Sequence, residues 1–415
     1  MAVDLASPRS ERSRYGVLHW DAIEGVPAEL IDPLRPSVIR VGFALDELEA
    51  QLERFETVNV LLSDGYGYPP GWPVSPYVDS EQWVAWVQSV LDDPVIVETM
   101  AESPERLIFE PWNEPDIAGF WDGTLDQSTD LWLETEALIR DTYPDAQIGG
   151  PSYALYDTDA ITAFLDRCAA AGCRLDYLIW HGFQLDLPSF RADVDESNGL
   201  ISGDAYEALG IRGLLVNEYP LATLDLLPAE NLGFLEAIES GDLFGSARAC
   251  WGGTHVLADE LAGPWTNCGV GRLNGFLTPP PDSEPRSVWW VYERFAAGLE
   301  GRVEASASDP DHVTAVGSAD ADSARVLVGH LDDVELEDPD ASRPPIDISV
   351  AIDGIDGSCA EVTVRVIPDS RDDPLLKLPV VASDIYRIVE GTHHVLLESV
   401  PAHEVRVIEL STIDC

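Results

Sequence analysis

A (β/α)8 TIM barrel followed by a C-terminal antiparallel β-sandwich is the architecture that this sequence predicts, and three observations predict it. Over the first 300 residues, eight short apolar runs alternate with longer stretches of helical spacing. After Gly301 the helical spacing stops, and strand-like runs follow, separated by clusters of Asp, Pro and Gly. No Gly-x-Gly-x-x-Gly turn follows the first run, which argues against an open doubly wound sheet. The 415-residue chain therefore divides into a barrel, 1–300, and a sandwich, 301–415.

The barrel strands are expected at 15–20, 38–42, 58–63, 107–111, 147–151, 177–181, 213–217 and 247–251. Helices are expected between them at 44–55, 80–92, 129–141, 159–171, 203–209, 229–240 and 287–298. The third of these carries Leu131, Leu133, Leu138 and Ile139 at helical spacing, and Gly172 stands where the fourth should stop. The sandwich strands are expected at 302–306, 313–318, 324–331, 346–352, 360–367, 380–388 and 403–410.

Charge narrows the partners. The net charge of −51, from 75 acidic and 24 basic residues, repels nucleic acid, and Lys377 is the sole lysine. The acids are interspersed with a 45% hydrophobic complement, so a folded protein with an acidic surface is expected, not a disordered tail. The pattern resembles proteins of salt-accumulating halophiles. No apolar run approaches the roughly 20 residues that span a membrane, and the first 14 residues lack the apolar core of a signal peptide. A cytoplasmic protein with six buried thiols is the expectation. The alternative is export, with three disulfides among Cys168/Cys173, Cys250/Cys268 and Cys359/Cys415. Oligomeric state is left open.

Two strand ends carry chemistry. The run Leu107-Ile108-Phe109-Glu110-Pro111-Trp112-Asn113-Glu114-Pro115 passes from apolar residues into Asn-Glu-Pro. The run Gly213-Leu214-Leu215-Val216-Asn217-Glu218-Tyr219-Pro220 repeats the design three strands later. Proline cannot extend a ladder, so each Glu stands where a strand gives way to a loop. In a barrel that is the active face. A carboxylate pair there suits acid/base and nucleophilic work on a polar substrate. Histidines lack His-x-x-x-His or His-Glu-x-x-His spacing, so neither metal nor other cofactor is expected.

These motifs resemble clan A glycoside hydrolases, most closely glycoside hydrolase family 39, the group of β-xylosidases and α-L-iduronidases. Asp176-Tyr177-Leu178-Ile179-Trp180-His181 resembles the clan's sixth-strand segment. Gly271-Arg272-Leu273-Asn274-Gly275 resembles the end of such barrels, and Val400-Pro401-Ala402-His403-Glu404-Val405 the closing strand of the family's sandwich. The resemblance implies a retaining O-glycosidase acting on β-linked sugars such as β-xylosides. Glu114 would be the acid/base and Glu218 the nucleophile. Asn113 would bind the sugar 2-hydroxyl, Arg40 would support Glu218, and His181, His19 and Trp251 would face the substrate. Glu110, two residue pairs before Glu114, reads as a buried support. Trp112, Trp121, Tyr66 and Trp72 are further aromatic platforms or core residues.

One position departs from the family. His181-Gly182-Phe183 lacks the Tyr that steadies the nucleophile, and Tyr219 or Tyr153 is the expected substitute. The alternatives are an endo-acting glucanase or mannanase of the same clan, and a glycan-binding barrel without activity. The charge carries its own prediction. At about 1 M salt the Debye length is about 3 Å and the acids cease to repel. The melting temperature should fall as salt is lowered to about 50 mM; an unchanged melting temperature would contradict the halophilic reading.

Overall fold

A computed structural model describes residues 1–8, 13–18, 26–42, 47–67, 76, 80–183, 186–249, 272–298, 301–320, 323–332, 343–355, 358–371, 373–388 and 391–415. The expected positions His19, Trp72, Cys250, Trp251 and Cys268 lie outside the described residues.

The chain opens with a strand, β1 (Ala2–Pro8), that is not part of the barrel. Eight parallel strands then close into the barrel: β2 (Gly16–Leu18), β3 (Val38–Val41), β4 (Thr57–Leu61), β5 (Leu107–Glu110), β6 (Gln147–Tyr153), β7 (Tyr177–Trp180), β8 (Gly213–Tyr219) and β9 (Gly245–Arg248). The remaining strands are β10 (Arg302–Ser306), β11 (Val313–Ala319), β12 (Ser323–His330), β13 (Ile346–Asp353), β14 (Cys359–Ile367), β15 (Val380–Arg387), β16 (Thr392–Val400) and β17 (Val405–Ile413). With β1 they form one nine-stranded sheet, ordered β15-β14-β17-β12-β11-β10-β1-β13-β16. The barrel-plus-β-domain fold class is borne out.

The division at residue 300 needs correction at the N-terminus. β1 pairs antiparallel with β10 and parallel with β13, so the second domain takes its seventh strand in order from the start of the chain. That partner lies some three hundred residues away in sequence, and no local pattern announces it. β16 also has no counterpart among the expected strands. The helix expected at 203–209 is instead a long helix, Leu187–Ile201, followed by a single turn at Glu207–Leu209. Its Asp, Ser, Asn and Gly content disguises an apolar stripe of Leu187, Phe190 and Val194. Asp186 caps it by accepting from the Ser189 amide at 2.7 Å. A further helix, Pro94–Glu102, has no counterpart among the expected helices.

Strand alternation builds the barrel. Val38, Ile108, Tyr177, Ile179 and Leu215 form an interior cluster, while their neighbours Ile39, Phe109, Leu178 and Leu214 join the core between strands and helices. The outer helices are capped locally. Thr124 and Gln127 form a reciprocal capping box at the start of Leu125–Thr142. Gly172, at φ 72°, closes Thr158–Ala171 as expected.

The helix Pro228–Ser240 joins the two domains. It is buried on almost every side because the barrel covers one face and β11, β12 and β17 cover the other. Those central strands show the consequence in their alternation. Val326, Val328, Ile408 and Leu410 enter the sheet's own core, whereas Leu327, Val405 and Val407 enter the barrel's. At Gly329 an added Cβ would lie 3.2 Å from the Ala229 backbone, so glycine permits this close approach. Glu230 on the helix accepts from the Asp332 amide at 3.1 Å and meets His403 Nδ1 at 2.7 Å, tying helix to sheet.

Cysteines depart from the expectation of buried thiols. Cys168 pairs with Cys173, and Cys359 pairs with Cys415.

Candidate active site

The site follows from the apolar interior by one step of alternation. Two residues beyond Val38 comes Arg40, beyond Ile108 comes Glu110, beyond Ile179 comes His181, and beyond Leu215 comes Asn217. An apolar layer thus supports a polar layer at the C-terminal ends of the strands.

Arg40 is the centre of that polar layer. Its Nε donates to Glu110 Oε2 at 2.8 Å, and its Nη2 donates to Glu110 Oε1 at 2.7 Å. Nη2 also donates to Asn113 Oδ1 at 2.7 Å, and Nη1 donates to Glu218 Oε1. Asn217 Nδ2 completes the frame, reaching Glu110 Oε2 at 2.7 Å and Asn59 Oδ1 at 2.9 Å. Arg40, Glu110, Asn59 and Asn217 are all buried. Burial works against a charged guanidinium here, but Glu110 and Glu218 outweigh it and hold Arg40 above its ordinary value. Burial likewise opposes ionisation of Glu110, and Arg40 overcomes it, holding Glu110 low.

The two Asn-Glu motifs deliver their carboxyls in different ways. β5 ends at Glu110, and Glu114 lies in the loop beyond it at φ 47°. This left-handed backbone costs of order 1–3 kcal/mol and needs support from its surroundings. The Glu114 amide donates to the carbonyl of Ser152, itself at φ 64°, at 2.9 Å, and the Asn113 amide donates to Ser63 Oγ at 3.2 Å. Glu218 instead depends on a bulge in β8. Val216 pairs with Ser246 and Tyr219 with Arg248, so β8 spends three residue steps on two of β9. The extra residue lets Asn217 and Glu218 both reach the Arg40 cluster.

The bulge also corrects the reading of Tyr219. That side chain is fully buried on the helix side, with its ring 5.7 Å from Phe234 and Tyr292 for a neighbour, and it does not meet the substrate face. Tyr153 is buried in the same layer, with Asp116 and Asp157 as its charged neighbours. The steadying of Glu218 falls to Arg40. Trp112 and Trp121 are core residues: their rings meet edge to face, and Trp112 Nε1 donates to the Phe120 carbonyl. Tyr66 packs against Trp83.

His181 stands between the two glutamates. Its Nδ1 lies 2.8 Å from Glu114 Oε1 and its Nε2 lies 3.9 Å from Glu218 Oε1. One oxygen of each glutamate and a ring nitrogen of His181 all fall within 4.8 Å of one another. Burial holds the imidazole below its ordinary pKa, although Glu218 opposes this. Glu114 is pushed up to about 7, chiefly by burial, with Arg40 lowering it and Glu110 adding to the rise. Burial raises Glu218 too; His181 and Arg40 pull it back, and Glu114 and Glu110 push it further. The Glu218 side chain is 13% exposed, so it can be reached from solvent.

Among the described residues, Glu114, His181 and Glu218 are also the one set whose donor atoms converge closely enough for a metal. The guanidinium bonded to Glu218 disfavours a second cation there. Asp64, absent from the residues expected in the site, adds a fourth carboxyl to the neighbourhood. Burial raises it to about 7, Arg40 opposes, and Glu218, Glu110 and Glu114 reinforce. Asn59 and Asp64 carried a signal of a kind. One is a polar residue inside the apolar run Val58-Asn59-Val60, and the other follows that strand's end.

Comparison with known proteins places the chain among glycoside hydrolases by similarity. Residues 74–194 match the glycosyl hydrolases family 39, a stretch that contains Glu114 and His181 but ends before Glu218. A beta-xylosidase from Geobacillus stearothermophilus is 28% identical over 116 residues, which span 28% of this chain and 23% of that enzyme. Among solved structures, N2152 from Neocallimastix frontalis superposes with a TM-score of 0.79 at 19% identity, covering 99% of both chains. A monomeric beta-xylosidase from Caulobacter crescentus gives a TM-score of 0.66 at 14% identity, again over 99% of each chain. The structural likenesses show a shared fold, and the resemblance to family 39 is borne out.

The Arg40 frame generates a stability prediction. Glu110→Ala leaves the guanidinium without its bidentate partner and should destabilise the fold by about 3–5 kcal/mol. Urea unfolding monitored by tryptophan fluorescence reads this; a loss within the scatter of surface substitutions, about 0.5 kcal/mol, would contradict it.

Proposed function

We propose that the chain is a retaining glycoside hydrolase that cleaves β-linked neutral sugars, β-xylosides foremost, with Glu218 as nucleophile and Glu114 as acid/base. The observation that carries this is the spacing of the two carboxyls, with oxygens within 4.8 Å of each other. A retaining enzyme needs its carboxyls about 5–5.5 Å apart, whereas an inverting one needs about 6.5–9.5 Å to seat a water between them.

The environments support the division of labour. Glu218 takes a hydrogen bond from Arg40, which favours its ionised form and aims it for attack on the anomeric carbon. Among the described residues, the Glu114 carboxyl hydrogen-bonds the imidazole of His181, and burial raises it to about 7, so that it keeps its proton near neutral pH. It gives that proton to the leaving oxygen as the bond from Glu218 to the sugar forms. Esterification then removes the charge on Glu218 and lowers the proton affinity of Glu114, which takes a proton from the attacking water in the second step. Asn113 has its Oδ1 engaged by Arg40, which leaves its Nδ2 hydrogens to donate to the sugar 2-hydroxyl.

The charge of the site favours neutral sugars over uronides. Glu110, Glu114, Glu218 and Asp64 surround Arg40, and Arg40 is already committed to Glu110, Glu218 and Asn113. A substrate carboxylate would meet net negative charge there.

Two measurements on aryl β-xyloside hydrolysis test the assignment. Glu218→Ala should abolish turnover, and azide should restore it with an α-glycosyl azide as product; near-normal activity in that variant would end the proposal. In the unsubstituted enzyme, kcat/KM should fall as pH rises through about 7, because Glu114 must be protonated to start the reaction. A profile flat from pH 6 to 9, on the order of full activity throughout, would remove Glu114 from that role.

A further inference from the structure

The end of β6 is bonded to both partners of the Glu114–His181 contact. Pro151 pairs with Ile179 and Tyr153 with Trp180, so β6 spends two residue steps on one of β7, and Ser152 is the extra residue. From this bulge onward three successive residues are each engaged by a neighbour. The Ser152 carbonyl accepts from the Glu114 amide at 2.9 Å, and the Tyr153 carbonyl accepts from the His181 amide at 2.8 Å. The Ala154 amide donates to the Asp116 carboxylate, 3.0 Å from Oδ1 and 3.1 Å from Oδ2. Glu114 arrives from the loop after β5 and His181 from the end of β7. The strand between them thus sets where each stands.

Of these three bonds, two are main chain to main chain, and Asp116 supplies the third from its side chain. Asp116 is coupled to Glu114 by a tight turn. The Ile117 amide donates to the Glu114 carbonyl at 3.0 Å, with Pro115 and Asp116 as the central residues. Proline fixes the backbone at the first of these positions. The turn is therefore held on β6 at two points, Glu114 on Ser152 and Asp116 on Ala154. One bond would leave the turn free to pivot about it; a second, two residues further along each chain, removes that freedom. Glu114 needs such a hold because its left-handed backbone must be imposed by the surroundings. Its carboxyl must also keep its 2.8 Å contact with His181 Nδ1.

We propose that Asp116 is a positioning residue for the acid/base, and that its bond to Ala154 locks the turn that aims the Glu114 carboxyl. This rests on the reading of Glu114 as acid/base. Asp116 acts through Glu114 and transfers no proton itself. Its influence is confined to steps in which Glu114 moves a proton. A weakly acidic phenol must be protonated as it leaves, whereas a strongly acidic one departs as its anion and needs no acid.

The test compares kcat/KM for phenyl and 2,4-dinitrophenyl β-xylosides. Asp116→Ala should lower it at least about tenfold for the phenyl xyloside and less than about twofold for the dinitrophenyl one. Its melting temperature should be unchanged, because residue 116 is exposed. Asp116→Asn, which keeps an oxygen for the Ala154 amide and loses the charge, should recover most of the activity. Glu114→Ala, assayed alongside, should show the same selectivity more strongly. If Glu114→Ala is selective, then an equal loss on both xylosides in Asp116→Ala, no loss on the phenyl xyloside, or an Asp116→Asn as impaired as Asp116→Ala would overturn the role of Asp116 alone. A Glu114→Ala variant indifferent to the leaving group would overturn the acid/base reading, and this proposal with it.

Discussion

One buried guanidinium organises this protein's active face. Arg40 neutralises Glu110 through two hydrogen bonds, fixes Asn113 through a third and holds Glu218 through a fourth. Without it, several carboxyls would share a space from which water is excluded, and they could remain there only by taking up protons. With it, one carboxylate is locked low, one accepts a hydrogen bond from the guanidinium, and a third is raised to about 7. The difference between Glu218 and Glu114 is a difference in company: a cation for one, an imidazole for the other.

The backbone around Arg40 carries the deviations that such a cluster requires. β8 adds a residue by bulging, which turns two consecutive side chains toward the same centre. The loop after β5 places Glu114 at positive φ and ties it to Ser152, which is also at positive φ. Regular strands would deliver one polar side chain in every two residues. The bulge and the left-handed turn are how two neighbouring asparagine–glutamate pairs both contribute. Below them the interior is ordinary, with Val38, Ile108, Ile179 and Leu215 filling the barrel by alternation.

Much of this was legible in the sequence because it is local. Each of the eight barrel strands lies within a few residues of its expected position, since an apolar run between loop signals needs little else to be recognised. Glu114 and Glu218 stood out as a repeated motif at strand ends. What could not be read depends on distant pairing or on a break in periodicity. β1 belongs to the sheet of the second domain only through β10 and β13. Tyr219 points into the helix layer because of a bulge that the run Val216-Asn217-Glu218-Tyr219 does not advertise. The helix Leu187–Ile201 hides its apolar stripe among residues that favour turns. Asn59, on β4, and Asp64, three residues past its end, have meaning only once the closed barrel brings them to Asn217 and Arg40.

The proposed double displacement requires Glu218 to form a covalent bond with the sugar while Arg40 orients it. The most direct measurement is to inactivate the enzyme with an activated 2-deoxy-2-fluoro-β-xyloside, digest it, and locate the added mass by tandem mass spectrometry. The account predicts a single glycosylated peptide with the sugar on Glu218. A label on Glu114, Glu110 or Asp64 in place of Glu218 would contradict it.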